Sequence, residues 1–243
     1  MATEALPSRL RLLVMDYRCV ATSPTGFVQQ LAVSYLAHGY WFYVQGCVPD
    51  DKDPLLVDAK LIEKYGIGVS RQSRARRKAV GIANVHYLRF DRLFLLLATH
   101  GHHPFFDDEA DNIRDARRIP IQFMGYSISV KRGDYLRKAD DEPTATPDGR
   151  WRVRVQIGRD TYTSMKAYFL QIGVRLSASR LAAELFTVPF EPYAPVRQQM
   201  LNILRMVNLA RRNLGLESLR PDVLRYRRQI VSPFEPCAVR DVA

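Results

Sequence analysis

The sequence lacks most of the features that would take a chain out of the ordinary globular class. Its longest uninterrupted apolar run, Leu93 to Ala98, is far short of the roughly 20 residues a helix needs to cross a bilayer, so no membrane partner is expected. Cysteine is scarce. Cys19, Cys47 and Cys237 are odd in number, widely separated and without a C-x-x-C pair, so neither a disulfide framework nor a cysteine zinc site is indicated. The N-terminal stretch sets Glu4, Arg9, Arg11 and Asp16 around a short apolar segment, which is not the layout of a secretory signal, and a cytoplasmic location is expected. Gly66-x-Gly68 lacks the further glycine, the Lys-Ser/Thr pair and the preceding strand of a phosphate loop, which removes the usual nucleotide cradle. No internal repeat or low-complexity tract is found.

What the chain does have is positive charge. Its 243 residues carry 36 basic and 25 acidic side chains, a net charge of +11, and polyanions are the partners such a balance favours. Arginine outnumbers lysine 29 to 7. A GC-rich genome would also raise that ratio, but the planar guanidinium fork does suit bidentate phosphate contact.

Along the chain, Leu10 to Val14 reads as a short strand, and Ser23-Pro24 opens a helix whose stripe of Phe27, Val28, Leu31, Ala32, Tyr35 and Leu36 runs to Gly39. Tyr40 to Val48 reads as a buried strand, and a second helix runs from Asp53-Pro54 to about Tyr65-Gly66. Ala83 to Phe90 and Leu93 to His100 flank Asp91-Arg92 as an antiparallel hairpin. Asp107 to Arg117 is expected to be helical and Ile119 to Val130 a single strand. Gly133 to Gly149 is expected to be a loop, rich in Asp140, Asp141, Glu142 and prolines. Trp151 to Ile157 alternates as a strand, and helices are expected over Thr161 to Ile172, Ser179 to Phe186, Pro195 to Leu214 and Pro221 to Val231. The expected fold is α+β: a mixed, largely antiparallel sheet covered by helices, most simply on one face, with a helical C-terminal region. An α+β domain would span 1–175, with the long loop at about 133–149, and a helical extension over 176–243 would pack on it.

Four basic groups carry the functional expectation. Arg71, Arg74, Arg76, Arg77 and Lys78 form a run with no acidic residue among them, where ordinary solvated charge runs mix signs. Arg150, Arg152 and Arg154 project from one face of their strand at about 7 Å spacing, close to the phosphate repeat. Nearby carboxylates offer a competing account of them. Gln198, Arg205, Asn208 and Arg212 recur along one helix and are side-chain types that read base edges. Arg220, Arg225, Arg227 and Arg228 accompany Tyr226 on an expected terminal helix suited to backbone contact.

One constellation points to chemistry. His100-Gly101-His102 ends a strand and is followed by Asp107, Asp108, Glu109 and Asp111. Two same-side imidazoles with a carboxylate such as Asp107 or Glu109 can hold a divalent metal, Mg²⁺ or Mn²⁺, against a phosphodiester. The pattern resembles the histidine-hydrophobic-histidine nickases of rolling-circle replication and small transposition, over these few residues. It departs from them in its middle glycine and in ending its strand. That resemblance implies a tyrosine nucleophile on a helix, Tyr162 with Lys166 one turn later, or Tyr168. Without a metal, His100 or His102 would be a general base on an RNA 2′-hydroxyl. His86 either joins this site or packs in the core.

The expected function is binding of DNA or RNA in a replication, mobile-element or processing system. A metal-dependent nicking endonuclease is one alternative. A structural subunit with protein partners in a nucleoprotein complex is the other. The sequence alone leaves open whether the chain is an enzyme.

Overall fold

In a computed structural model, which describes residues 17–133, 136–137 and 146–235, the chain is α+β, with antiparallel sheets and a long helix towards the C-terminus. It divides into two compact units. The first comprises Met1–Ile119, Val130–Val153 and Val231–Ala243, and the second Pro120–Ser129 and Arg154–Ile230. Among the described residues, no helix is long and apolar enough to cross a membrane. The strand expected over Leu10 to Val14 lies outside the described residues.

The first unit is built on a four-stranded sheet in the order β2-β3-β1-β4, with β1 at Phe42–Cys47, β2 at Val85–Phe90, β3 at Leu93–Ala98 and β4 at Arg114–Asp115. Its hairpin is the expected one, and Asp91 turns it at φ 52°. Helices cover both faces, not one. Val85, Tyr87, Val44, Leu96 and Ala98 meet Ile62 of helix α2, Pro54–Lys64. On the other face, β2 contacts helix α1, Pro24–Gln29, and Phe90 meets Phe27 edge-on at 6.4 Å. Burial on both faces explains why β3 reads as a continuous apolar run with no polar alternation. Gly46 of β1 sits opposite Phe94, whose ring occupies the place a Cβ would take.

Helix α1 is capped by Ser23, whose Oγ accepts from the Gly26 amide at 3.0 Å. It continues as a π-helical segment, Gln30–Tyr35, and a short turn, Leu36–His38, before Gly39 ends it at φ 94°. Tyr35 of that segment stacks on His86 at 4.4 Å, Tyr40 lies 4.6 Å from the same ring, and Tyr17 Oη shares a 2.7 Å hydrogen bond with its Nδ1. His86 therefore belongs to the core. Burial, and secondarily the Arg74 charge, pull its pKa down to about 3.

That imidazole makes the stability of the fold depend on pH. The unfolded chain protonates His86 near pH 6.5 and the folded chain only near about 3, so the unfolded state binds more protons throughout that window. Stability then falls as the pH drops below about 6.5. Between pH 7 and pH 5, above the range where carboxylates dominate, the loss is about 2 kcal/mol. His103, also depressed by burial, adds to it in the same direction. His86→Phe keeps the ring stack and should remove most of the slope in urea unfolding at pH 7, 6 and 5. An undiminished slope would contradict the assignment.

Three expectations in this part of the chain are corrected. Asp107 to Arg117 is not a helix: only α4, Phe105–Asp108, forms, because Arg114 and Asp115 pair with β1. Ile119 to Val130 is a hairpin, β5 at Ile121–Phe123 and β6 at Tyr126–Arg132, turned by Met124 at φ 42° and Gly125 at φ 81°. The span 133–149 contains a paired β7, Leu136–Arg137, and β8, Thr146–Pro147, with residues 138–145 outside those described. The basic run is itself helical, α3 at Arg71–Ala79, capped by Ser70.

Strand β9, Trp151–Ile157, lies beside β6 in a three-stranded sheet ordered β5-β6-β9. The second unit adds helices α5 at Arg159–Gly173, α6 at Ala178–Phe186 and α7 at Ala194–Asn213, all within a residue or two of expectation. Val196, Met200, Ile203, Leu204 and Val207 form the buried stripe of α7. Gln199 extends this helix's hold on β9: its amide accepts from the Ile157 N–H at 2.8 Å and donates to the Ile157 carbonyl at 2.9 Å. The helix expected over Pro221 to Val231 is a single 3-10 turn, Pro221–Val223, after which Leu224 is extended. No apolar stripe holds it as a helix, and Ile230 is almost fully exposed.

Candidate nucleic-acid interface

The basic residues separate into those that hold the fold and those left facing solvent. In α3, Arg74 donates to the Ile67 carbonyl at 3.0 Å and Arg77 to the Gly66 carbonyl at 3.3 Å. These two anchor the helix to the preceding loop. Arg71, Arg76 and Lys78 are exposed, and Arg71 and Lys78, seven residues apart, share one face.

The arginines of β9 divide in the same way. Arg152 is ion-paired with Asp148, as the competing account proposed, and the pairing holds the Asp148 carboxyl down at about 2. Arg150 and Arg154 are exposed.

On α7 the polar stripe is Gln198, Asn202, Arg205 and Arg212. Gln198 donates to Asn202 Oδ1 at 3.2 Å, and Arg205 donates to the same atom at 3.3 Å. Asn208 is the correction here. Its amide accepts from the Leu219 N–H and donates to the Leu219 carbonyl, each at 2.8 Å. A position one residue from buried Val207 turns Asn208 towards the Leu219 backbone, and the paired bonds there tie its amide to the fold.

Arg225 is likewise structural. It donates to the carbonyls of Val188 at 2.9 Å and Phe190 at 2.7 Å and pairs with Glu191 at 3.4 Å. Arg228 lies over the Tyr193 ring at 4.6 Å.

The histidine cluster has a backbone explanation. Gly101 sits at φ +136°, where a Cβ would come within 2.6 Å of Ala83 N and Gly81 O. Only glycine lets His102 bridge to Ile82, with the His102 N–H donating to Gly81 O at 2.9 Å and its carbonyl accepting from Ala83 N at 3.0 Å. Glu109 accepts from Tyr65 Oη at 2.8 Å, Asp108 pairs with Lys64 at 3.0 Å, and Asp107 is exposed. Among the described residues, no group of three or more His, Cys, Asp or Glu side chains is placed to hold a metal ion. His100, His102, Asp107 and Glu109 are thus not gathered into one ligand set.

Tyr162 and Lys166 do meet, with the ammonium 5.0 Å from the ring centroid. The Tyr162 hydroxyl, however, donates to the Gln199 carbonyl at 3.3 Å, and its neighbour is a cation over the ring face, not a base at the oxygen.

Residues to which no sequence motif draws attention lie at one end of the first unit's sheet. Phe42, Ala98, Val85 and Asp115 share a row of the strand register. Just beyond them His100 lies 6.2 Å from Phe42, and the Arg117 guanidinium sits over Phe42 at 5.5 Å, Trp41 at 4.8 Å and Trp151 at 5.6 Å. Trp41 and Trp151 are 5.5 Å apart, and Arg132 stands 5.8 Å from Trp151. Rings and guanidiniums form one continuous strip. No local pattern reveals it, because Trp41, Arg117 and Trp151 are separated by most of the domain.

No protein-family model matches the chain, and no curated protein matches it significantly.

Proposed function

We propose that the chain is a nucleic-acid-binding protein of a replication, mobile-element or RNA/DNA-processing system that holds phosphates through its exposed arginines. The observation that carries this reading is the charge balance of the second unit, which has 13 basic residues against 5 acidic ones. Among the described residues, only Arg220–Asp222 and Arg225–Glu191 are ion-paired there. Fold-holding pairs leave most of its cations without a carboxylate, and exposed residues such as Arg154, Arg205 and Arg212 keep their charge for an external anion.

Binding should be strongly salt-dependent. Contact with about five phosphates gives a slope of log affinity against log salt between roughly −3.5 for single strands and −4.5 for duplexes. Fluorescence anisotropy of a labelled oligonucleotide across about 50 to 200 mM salt measures it, and a flat response would overturn the reading. Replacing Arg71, Arg76 and Lys78 together should weaken binding to all sequences alike, as phosphate contacts do.

A further inference from the structure

We propose that the strip of Trp41, Phe42, Arg117 and Trp151 is a stacking platform for unpaired bases, which makes single-stranded nucleic acid the preferred ligand. This rests on the nucleic-acid reading above and names its substrate class.

Arg117 shows how the platform is built. Asp115 takes its charge in a two-pronged pair, with Nη2 to Oδ2 at 2.7 Å and Nε to Oδ1 at 3.0 Å. A neutralised guanidinium is a poor phosphate ligand but a good flat spacer, and here it braces two indoles at fixed orientation. Rings held rigid before binding lose little entropy when a base arrives.

Exposure points the same way. Trp151 keeps 42% of its surface in solvent, so part of its ring stays open to an incoming base. Arg118, Lys131, Arg132 and Arg150, all exposed, lie along the same segments, and none is ion-paired among the described residues. Aromatic faces bordered by such cations suit a strand whose bases are unstacked and whose phosphates follow alongside. A duplex keeps its base faces covered, so an indole face offers it nothing. The strip therefore discriminates between strands and duplexes, whereas exposed arginines alone do not.

The chain has only two tryptophans, and both are in the strip, so intrinsic fluorescence reports on it directly. The full-length protein would be titrated with oligonucleotides of about 15 nucleotides, spanning the usual site sizes: oligo(dT), oligo(rU) and a duplex of equal length. The expected result is tryptophan quenching by one or both single strands, with the two arms showing whether DNA or RNA is preferred, and no quenching by the duplex. Trp151→Ala should weaken single-strand affinity by roughly 5- to 150-fold while leaving duplex affinity unchanged, and Trp151→Phe should restore most of it. Circular dichroism of each variant confirms that it is folded. Equal affinity for strand and duplex, with no quenching and no effect of Trp151→Ala, would overturn the platform while leaving the nucleic-acid reading intact. Failure of all three ligands to bind would remove both.

Discussion

Asp58→Ala should cost the first unit about 3–5 kcal/mol, a loss typical of stranding a buried charge. Asp58 is fully buried, and so is nearly all of Arg89. The carboxylate accepts from Arg89 Nε at 2.7 Å, from Arg89 Nη2 at 2.7 Å and from Tyr87 Oη at 2.6 Å. Removing it leaves the guanidinium, among the described residues, with one backbone acceptor, the Asp91 carbonyl at 2.5 Å. Set against a total stability of about 5–15 kcal/mol, this is a large fraction. For a chain of this length each kcal/mol moves the midpoint by about 2–4 °C, so thermal unfolding should shift down by roughly 10 °C. The paired replacement Asp58→Leu with Arg89→Met should recover most of that loss, since an apolar pair carries no desolvation penalty. A single variant as stable as the parent would show that the ion pair is not what closes this face of the sheet.

Such a pair illustrates what the sequence could and could not disclose. Local regularities were legible. The apolar stripe from Val196 to Val207 placed α7, the alternation after Trp151 placed β9, and the Ser23-Pro24 start placed α1. Each rests on contacts within a few residues, where spacing carries the information. Errors arose where a distant partner or an uncommon turn decided the outcome. Met124-Gly125 takes two positive φ values without the Asn-Gly or Asp-Gly pair that usually signals them. Arg114 and Asp115 left a helical context because Tyr43 and Phe42 offered strand pairing.

The functional residues divide along the same line. That arginines would face solvent was readable from charge. Which of them would be taken up by the fold was not, because their acceptors are carbonyls: Ile67 for Arg74, Gly66 for Arg77, Val188 and Phe190 for Arg225. A carbonyl has no letter in the sequence. The His-Gly-His motif looked chemical for a related reason. Its glycine answers to a close backbone approach to residues 81–83, which spacing along the chain cannot display.

Arg211 gives the sharpest separation between charge that stabilises and charge that binds. Only 3% exposed, it donates to the carbonyls of Gly173 at 2.6 Å, Leu176 at 2.9 Å and Glu217 at 2.5 Å. Gly173 is the last residue of α5 and Leu176 lies in the turn just after it, where unpaired helix carbonyls concentrate negative potential and favour a cation. Arg211→Met keeps the stem's volume but takes the donor from three carbonyls, of which the Gly173 oxygen is buried and the other two partly so, at a cost of about 2–4 kcal/mol to the second unit. Its neighbour Arg212 is exposed, as is Arg205. Replacing those two should leave the melting temperature nearly unchanged and make the salt slope shallower by roughly 2, about one for each phosphate that is no longer held. For Arg211→Met the pattern should invert, with a lower melting temperature and, below it, an unaltered slope. Both charge removals come from one helix within seven residues of each other, so net charge alone predicts no such reversal. If Arg211→Met flattened the salt response as Arg205 and Arg212 do, nucleic-acid affinity would follow total charge, and position on α7 would not matter.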